Sequence, residues 1–137
     1  MKGAFGFLMV LLLSGTLASA QQVKHKPPID GNKYVQIDDA DHDFGEIPYG
    51  QAVSYAIKMK NISADTLYLT NIIVSCGCTT PEYKKGAYAP GAEIDMTVGF
   101  NGHADGAFNK TLSVLFQDHE DQIVKILRFR GKGVVKR

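Results

Sequence analysis

The sequence predicts an all-β domain: a sandwich of about seven antiparallel strands in two sheets. Three observations point there. Apolar residues recur with a period of two along most of the chain. No segment sustains the i, i+3, i+4 spacing of a helix. Turn chemistry bounds each alternating run: Gly45 and Pro48-Tyr49-Gly50, Asn61-Ile62-Ser63, Pro90-Gly91, Asn101-Gly102, and Asp118-His119-Glu120-Asp121.

The predicted strands are 34–37, 43–47, 53–60, 66–76, 93–100, 108–116 and 123–131. In 53–60, Val53, Tyr55, Ile57 and Met59 alternate with Ser54, Ala56, Lys58 and Lys60. In 93–100, Ile94, Met96, Val98 and Phe100 alternate with Asp95, Thr97 and Gly99. Leu112, Val114 and Phe116 alternate within 108–116, and Ile123, Ile126 and Phe129 sit in the run that ends at Gly131. Such alternation puts one face of each sheet against the other sheet and one face in water. A small barrel is the second reading. The run 66–76 breaks phase: Leu67 and Leu69 share one parity, Ile72, Val74 and Cys76 the other. A bulge near Thr70-Asn71 is expected, because only an extra residue can put both sets on one face. Cys76 is then expected to face inward at the strand end.

Residues 1–20 read as a secretory signal peptide: Lys2, an apolar run from Phe5 to Leu13, then Ala18-Ser19-Ala20. The run is shorter than the ~20 residues of a membrane span. No cysteine follows it for a lipid anchor. Residues 21–33, with Pro27-Pro28, read as an extended polar spacer, and 34–137 as one domain. Without Lys2 the Lys+Arg total falls from 15 to 14, against Asp+Glu 14. A neutral balance excludes an electrostatic nucleic-acid binder, and no polybasic block marks a membrane surface.

Several motifs occur in order: D-F-G-E-I (43–47), a strand ending K-N (60–61), S-C-G-C-T-T-P (75–81), A-P-G (89–91) leading into I-D-M-T-V-G-F (94–100), and a closing G-K-G-V (131–134). The set resembles the bacterial domain-of-unknown-function 1573 family over about residues 37–134. That resemblance implies an immunoglobulin-like module of the major sperm protein and ciliary-protein type, exported by bacteria and without an established activity.

The only two cysteines, Cys76 and Cys78, flank Gly77. In an extended strand, residues i and i+2 lie about 6.6 Å apart on one face, whereas a disulfide wants Cβ atoms near ~3.8 Å. A bond therefore requires the backbone to turn, which Gly77 permits because it can take positive φ. Three readings follow. The pair is structural, as buried thiols or a local disulfide, and an oxidising compartment favours the disulfide. It exchanges disulfides, although no cation sits inside the motif and Lys84 and Lys85 come several residues later. Or its two thiolates clamp a soft metal ion. Zinc would need further ligands, and His25, His42, His103 and His119 read individually as solvated loop histidines.

Asp39, Asp41 and Asp43 have the 1-3-5 spacing of a calcium loop, but Phe44 and Gly50 stand where glycine and glutamate are required. Asn61-Ile62-Ser63 and Asn109-Lys110-Thr111 fit the N-glycosylation sequon, and Asp65-Thr66-Leu67 fits a bacterial O-glycosylation pattern at Thr66. No nucleophile elbow, H-E-x-x-H element or phosphate loop is present. The expected whole is an exported, periplasmic or secreted, immunoglobulin-like antiparallel β-sandwich. It is expected to be a non-enzymatic envelope module without a cofactor, binding another envelope or extracellular protein, with no transmembrane segment after signal cleavage. The alternative is thiol redox or soft-metal chemistry at Cys76-Gly77-Cys78.

Overall fold

A computed structural model describes Gly3 and residues 25–136. The expected signal peptide, Gly3 apart, and the first part of the expected spacer lie outside the described residues. The described residues form ten strands and one 3-10 turn: β1 (Ile29–Asp30), the turn Gly31–Lys33, β2 (Val35–Ile37), β3 (Asp41–Pro48), β4 (Val53–Asn61), β5 (Leu67–Val74), β6 (Thr79–Tyr83), β7 (Gly86–Tyr88), β8 (Glu93–Phe100), β9 (Gly106–Asp118) and β10 (Asp121–Val134). They form a six-stranded sheet, β1-β10-β9-β5-β7 with β3 also on β10, and a four-stranded sheet, β2-β4-β8-β6.

The sheets pack face to face because every long strand has an apolar parity to bury. Tyr55, Ile57 and Met59 of β4 and Ile94, Met96, Val98 and Phe100 of β8 meet Leu112, Val114 and Phe116 of β9 and Ile123, Leu127 and Phe129 of β10 in one core. On β10 the inward residue is Leu127; its neighbour Ile126 faces out. The phase break in β5 is resolved as expected. The register against β9 shifts between Leu69 and Asn71, so Leu67, Leu69 and Ile72 are all buried while Thr70 and Asn71 face out.

The structure departs from the expected pattern in four places. Three short strands, β1, β6 and β7, are additional, since T-T-P-E-Y and G-A-Y carry too little alternation to be read as strands. The sandwich is antiparallel except at one edge, where β1 and β3 both lie parallel to β10. Residues 38–40 join β2 to β3 as the chain passes from the smaller sheet to the larger. The expected spacer ends early, because Ile29 and Asp30 pair with β10 and Gly31 is buried against Val124 and Lys125. Gly45 is a bulge inside β3 and does not end a strand. Its φ is 66°, its N–H donates to Asp43 Oδ1 (2.8 Å), and two β3 residues pass one residue of β10 there.

One end of the sandwich is organised around Asn61, which is fully buried. Its amide Nδ2 donates to the carbonyls of Asp65 and Tyr88 (2.9 Å each), and its Oδ1 accepts from the N–H and hydroxyl of Ser63 (3.0 and 2.7 Å). Its backbone accepts from Gly91 N (2.8 Å) and donates to Ala92 O (3.0 Å). Residues distant in sequence, K-N at 60–61 and A-P-G at 89–91, thus meet at one residue. Asn61→Asp keeps the size but points a carboxylate at two carbonyls. It is expected to cost about 3 kcal/mol or more in urea unfolding, against about 1 kcal/mol for Ser63→Ala. Equal costs would show that the buried amide is not the organising group.

Candidate functional site

The Cys76–Cys78 segment lies at the other end of the strands. β5 belongs to the larger sheet and β6 to the smaller, so Ser75–Cys78 is the corner where the chain changes sheets. β5 stops at Val74, earlier than the expected strand end at 76, and the cysteines sit in a turn. Cys76 and Cys78 are joined by a disulfide with Cα atoms 5.3 Å apart. Backbone bonds pin the corner: Ser75 N to Thr111 O (3.0 Å), Thr79 N to Cys76 O (3.4 Å) and Asn101 N to Cys78 O (3.1 Å). Ser75 Oγ accepts from Thr111 N (3.1 Å), and Thr79 Oγ1 lies 3.8 and 3.9 Å from the two sulfurs.

Both cysteines are half-buried, and Cys78 packs against the core, so Cys76 is not the fully inward residue expected. Gly77 is exposed and does not use positive φ, and an added Cβ there would meet nothing within 4 Å. The turn closes in a conformation open to any residue, contrary to the reason the sequence suggested for this glycine. Lys84 and Lys85 follow β6, on the order of 20 Å along an extended strand from Cys78, too far to stabilise a thiolate. Among the described residues no third His, Cys, Asp or Glu ligand joins the sulfurs. The corner therefore presents a half-buried disulfide, and a closed disulfide offers no thiolate to a metal ion.

A tyrosine braces this corner. Beyond Leu69 the edge of β5 is no longer paired by β7. Tyr83, from the last position of β6, accepts the Ile72 N–H at its hydroxyl (3.2 Å) and donates to Asn71 Oδ1 (3.3 Å). The bulge residue Asn71 and the sheet-crossing strand are thereby tied together.

The other residues singled out from the sequence are dispersed. Asp41 and Asp43 pair with Arg130 (3.6 and 3.4 Å), while Asp39 Oδ2 lies 2.6 Å from His42 Nδ1, so the three carboxylates do not converge as a calcium loop would require. The Gly45 N–H and Arg130 hold the Asp43 carboxyl below its ordinary range, the amide contributing most. His42 is a strand residue, stacked on Tyr55 with centroids 4.1 Å apart, which corrects its reading as a solvated loop histidine. Burial, and then Asp39 and Asp41, push the Tyr55 phenol upward. Met59 and Met96 are core residues, as expected. Thr66 is half-buried just before β5. Asn61 has no free amide for a glycan, since both Nδ2 protons are used inside the protein.

A surface feature escaped the sequence reading. On the outer face of the six-stranded sheet, Ile73 and Ile126 both pair with Ser113 and are 53% and 42% exposed. In the next row Leu115 and Val124 pair and are half-buried, and Tyr68 lies exposed further along β5. The outer face of the smaller sheet instead carries Lys58, Lys60, Glu93 and Asp95, with Lys58 paired to Glu93 and Asp95. The signal for the apolar face was Ile73 and Ile126 themselves, each out of phase with the buried residues of its strand.

The fold defines an immunoglobulin-like β-sandwich with a disulfide-closed corner. A family model described as "Protein of unknown function (DUF1573)" matches residues 35–132, and the chain belongs to that family. No curated protein matches the chain. Among solved structures it is similar to the ASH / PapD-like domain 7 of human CEP192, with TM-score 0.61, 11% identity, and coverage of 85% of this chain and 94% of that one. It is also similar to part of the VesB protease of Vibrio cholerae, with TM-score 0.63, 16% identity, and coverage of 74% of this chain and 32% of that one, about a third of the protease's length. The YadV chaperone matches with TM-score 0.53, 11% identity, and coverage of 76% and 53%. These likenesses establish the fold.

A three-residue loop removes little entropy from the unfolded chain, about 1–2 kcal/mol by the loop-closure relation. The double variant Cys76→Ser/Cys78→Ser is therefore expected to stay folded and to lose no more than about 2 kcal/mol in urea unfolding. Loss of the folded state would identify the bond as a structural staple.

Proposed function

We propose that this protein is an exported, non-enzymatic, protein-binding module of the bacterial envelope, and that it docks its partner through the outer face of the six-stranded sheet. The observation that carries this reading is the contrast between the two outer faces. One is charged and internally ion-paired; the other sets Ile73, Ile126 and Tyr68 in solvent beside Leu115 and Val124. Apolar side chains grouped in the middle of a sheet, rather than scattered over loops, mark a surface that gains from being covered. Family membership and the PapD-like fold of the CEP192 domain support a binding role. Export rests on the leader-like residues 1–20. Among the described residues no helix is long and apolar enough to cross a membrane.

A photo-reactive residue at position 73 or 126, in cells that express the protein, is expected to trap a discrete partner. The same residue at position 60 is expected to trap none. Equal trapping from both faces, or none from 73 and 126, would overturn the docking face.

The second reading is thiol–disulfide exchange at Cys76–Cys78, favoured by a disulfide that is half-buried in a turn rather than sealed in the core. Alkylation of native protein without reductant, followed by intact mass, separates the two. A bonded pair that opens with a redox buffer of the envelope's poise supports exchange, and a pair that resists it leaves a structural bond.

A further inference from the structure

At the end of the sandwich opposite the disulfide, three side chains from two chain segments converge. Asp65 lies in the loop that leads into β5; Asp118 ends β9, and His119 opens the turn to β10. His119 Nε2 is 3.6 Å from Asp118 Oδ1 and 3.9 Å from Asp65 Oδ1, and ligand atoms of all three residues lie within 4.8 Å of one another. Thr66, Tyr68 and Gln117 complete the walls of the cleft they share.

These separations are too long for good hydrogen bonds, which run to about 3.2 Å. They are close to what an ion requires. Two ligand atoms at about 2.0–2.2 Å from a tetrahedral metal lie about 3.3–3.6 Å apart. Bringing the three donors onto one ion needs side-chain adjustments of about 1 Å or less.

Asp118 supplies an independent observation. Its Oδ1 is buried and accepts no hydrogen bond, and the side chain is only 14% exposed. A carboxylate oxygen withdrawn from water is costly without a donor or a cation against it. No donor reaches this atom within hydrogen-bond distance, and the His119 imidazole nitrogen stands 3.6 Å from it.

We propose that Asp65, Asp118 and His119 form a divalent transition-metal site of the Zn²⁺ class, with three protein ligands and one position left to water. One imidazole and two carboxylates suit a borderline ion better than a soft one, which separates this site from any thiolate site at the cysteines. A bound ion would clip the β9–β10 turn to the loop that enters β5, beside the Asn61 hydrogen bonds to Asp65.

The probe is Zn²⁺ alone, titrated calorimetrically into the purified full chain without reductant, so that the Cys76–Cys78 bond stays closed. One ion per chain is expected, with a rise of the thermal midpoint of several degrees. Asp118→Asn and His119→Gly are each expected to weaken binding by at least about 100-fold, more than loss of an outer-shell partner costs. His119 has a φ of 44°, a conformation that glycine adopts freely, so His119→Gly removes the ligand without straining the turn. Absence of saturable binding, or unchanged binding in both variants, would overturn the site. So would binding that appears only after the disulfide is reduced, which would place the ion on the cysteines.

Discussion

A buried amide has to find every hydrogen-bond partner inside the protein, and Asn61 does so by drawing four strand ends together. β4 ends at it, its side chain holds the backbone just before β5 and at the end of β7, and its backbone pairs with the turn that starts β8. β4 and β8 belong to one sheet, β5 and β7 to the other. Hydrophobic burial drives the sheets together without regard to direction. The directional demands of one amide say how they meet at this end. Alternative stackings of the same apolar faces would leave its donors unpaired, at a cost that non-directional packing cannot offset.

The opposite end solves a different problem. The chain must leave one sheet at Val74 and begin the other at Thr79, with four residues to turn the corner. Backbone bonds to Thr111 and Asn101, the Cys76–Cys78 bridge, and the Tyr83 hydroxyl over Ile72 and Asn71 close this end. The bulge at Thr70 belongs to the same arrangement. It rephases β5 so that Ile72 faces the core, and it turns Asn71 toward the tyrosine that braces the crossing strand.

With both ends held by polar bonds, the broad outer face of the larger sheet is free to carry apolar residues that the fold does not need. Ile73 and Ile126 contribute nothing to the core, whereas Leu127, next to Ile126, is fully buried. A similar fold occurs in a domain of human CEP192, in part of a protease and in a chaperone, so the sandwich itself does not specify an activity.

The all-β class, the seven expected strands, the buried parity of β4, β8 and β9 and the bulge at Thr70-Asn71 were determined by the sequence alone, because a period of two and its interruption are local properties of the chain. So was the family, from ordered motifs including K-N and S-C-G-C-T. Tertiary structure decided the rest. β6 and β7 are strands only because β8 and β5 offer edges to pair with. β3 lies parallel to β10, a pairing between segments far apart in sequence that no local pattern records. His42 is held by Tyr55 and Asp39, and Asp65 meets His119, although each pair except His42–Asp39 is separated widely in sequence. Gly77 is the converse case. Its residue type suggested a conformational role, and the turn formed without one, because long-range hydrogen bonds to Asn101 and Thr111 hold that corner.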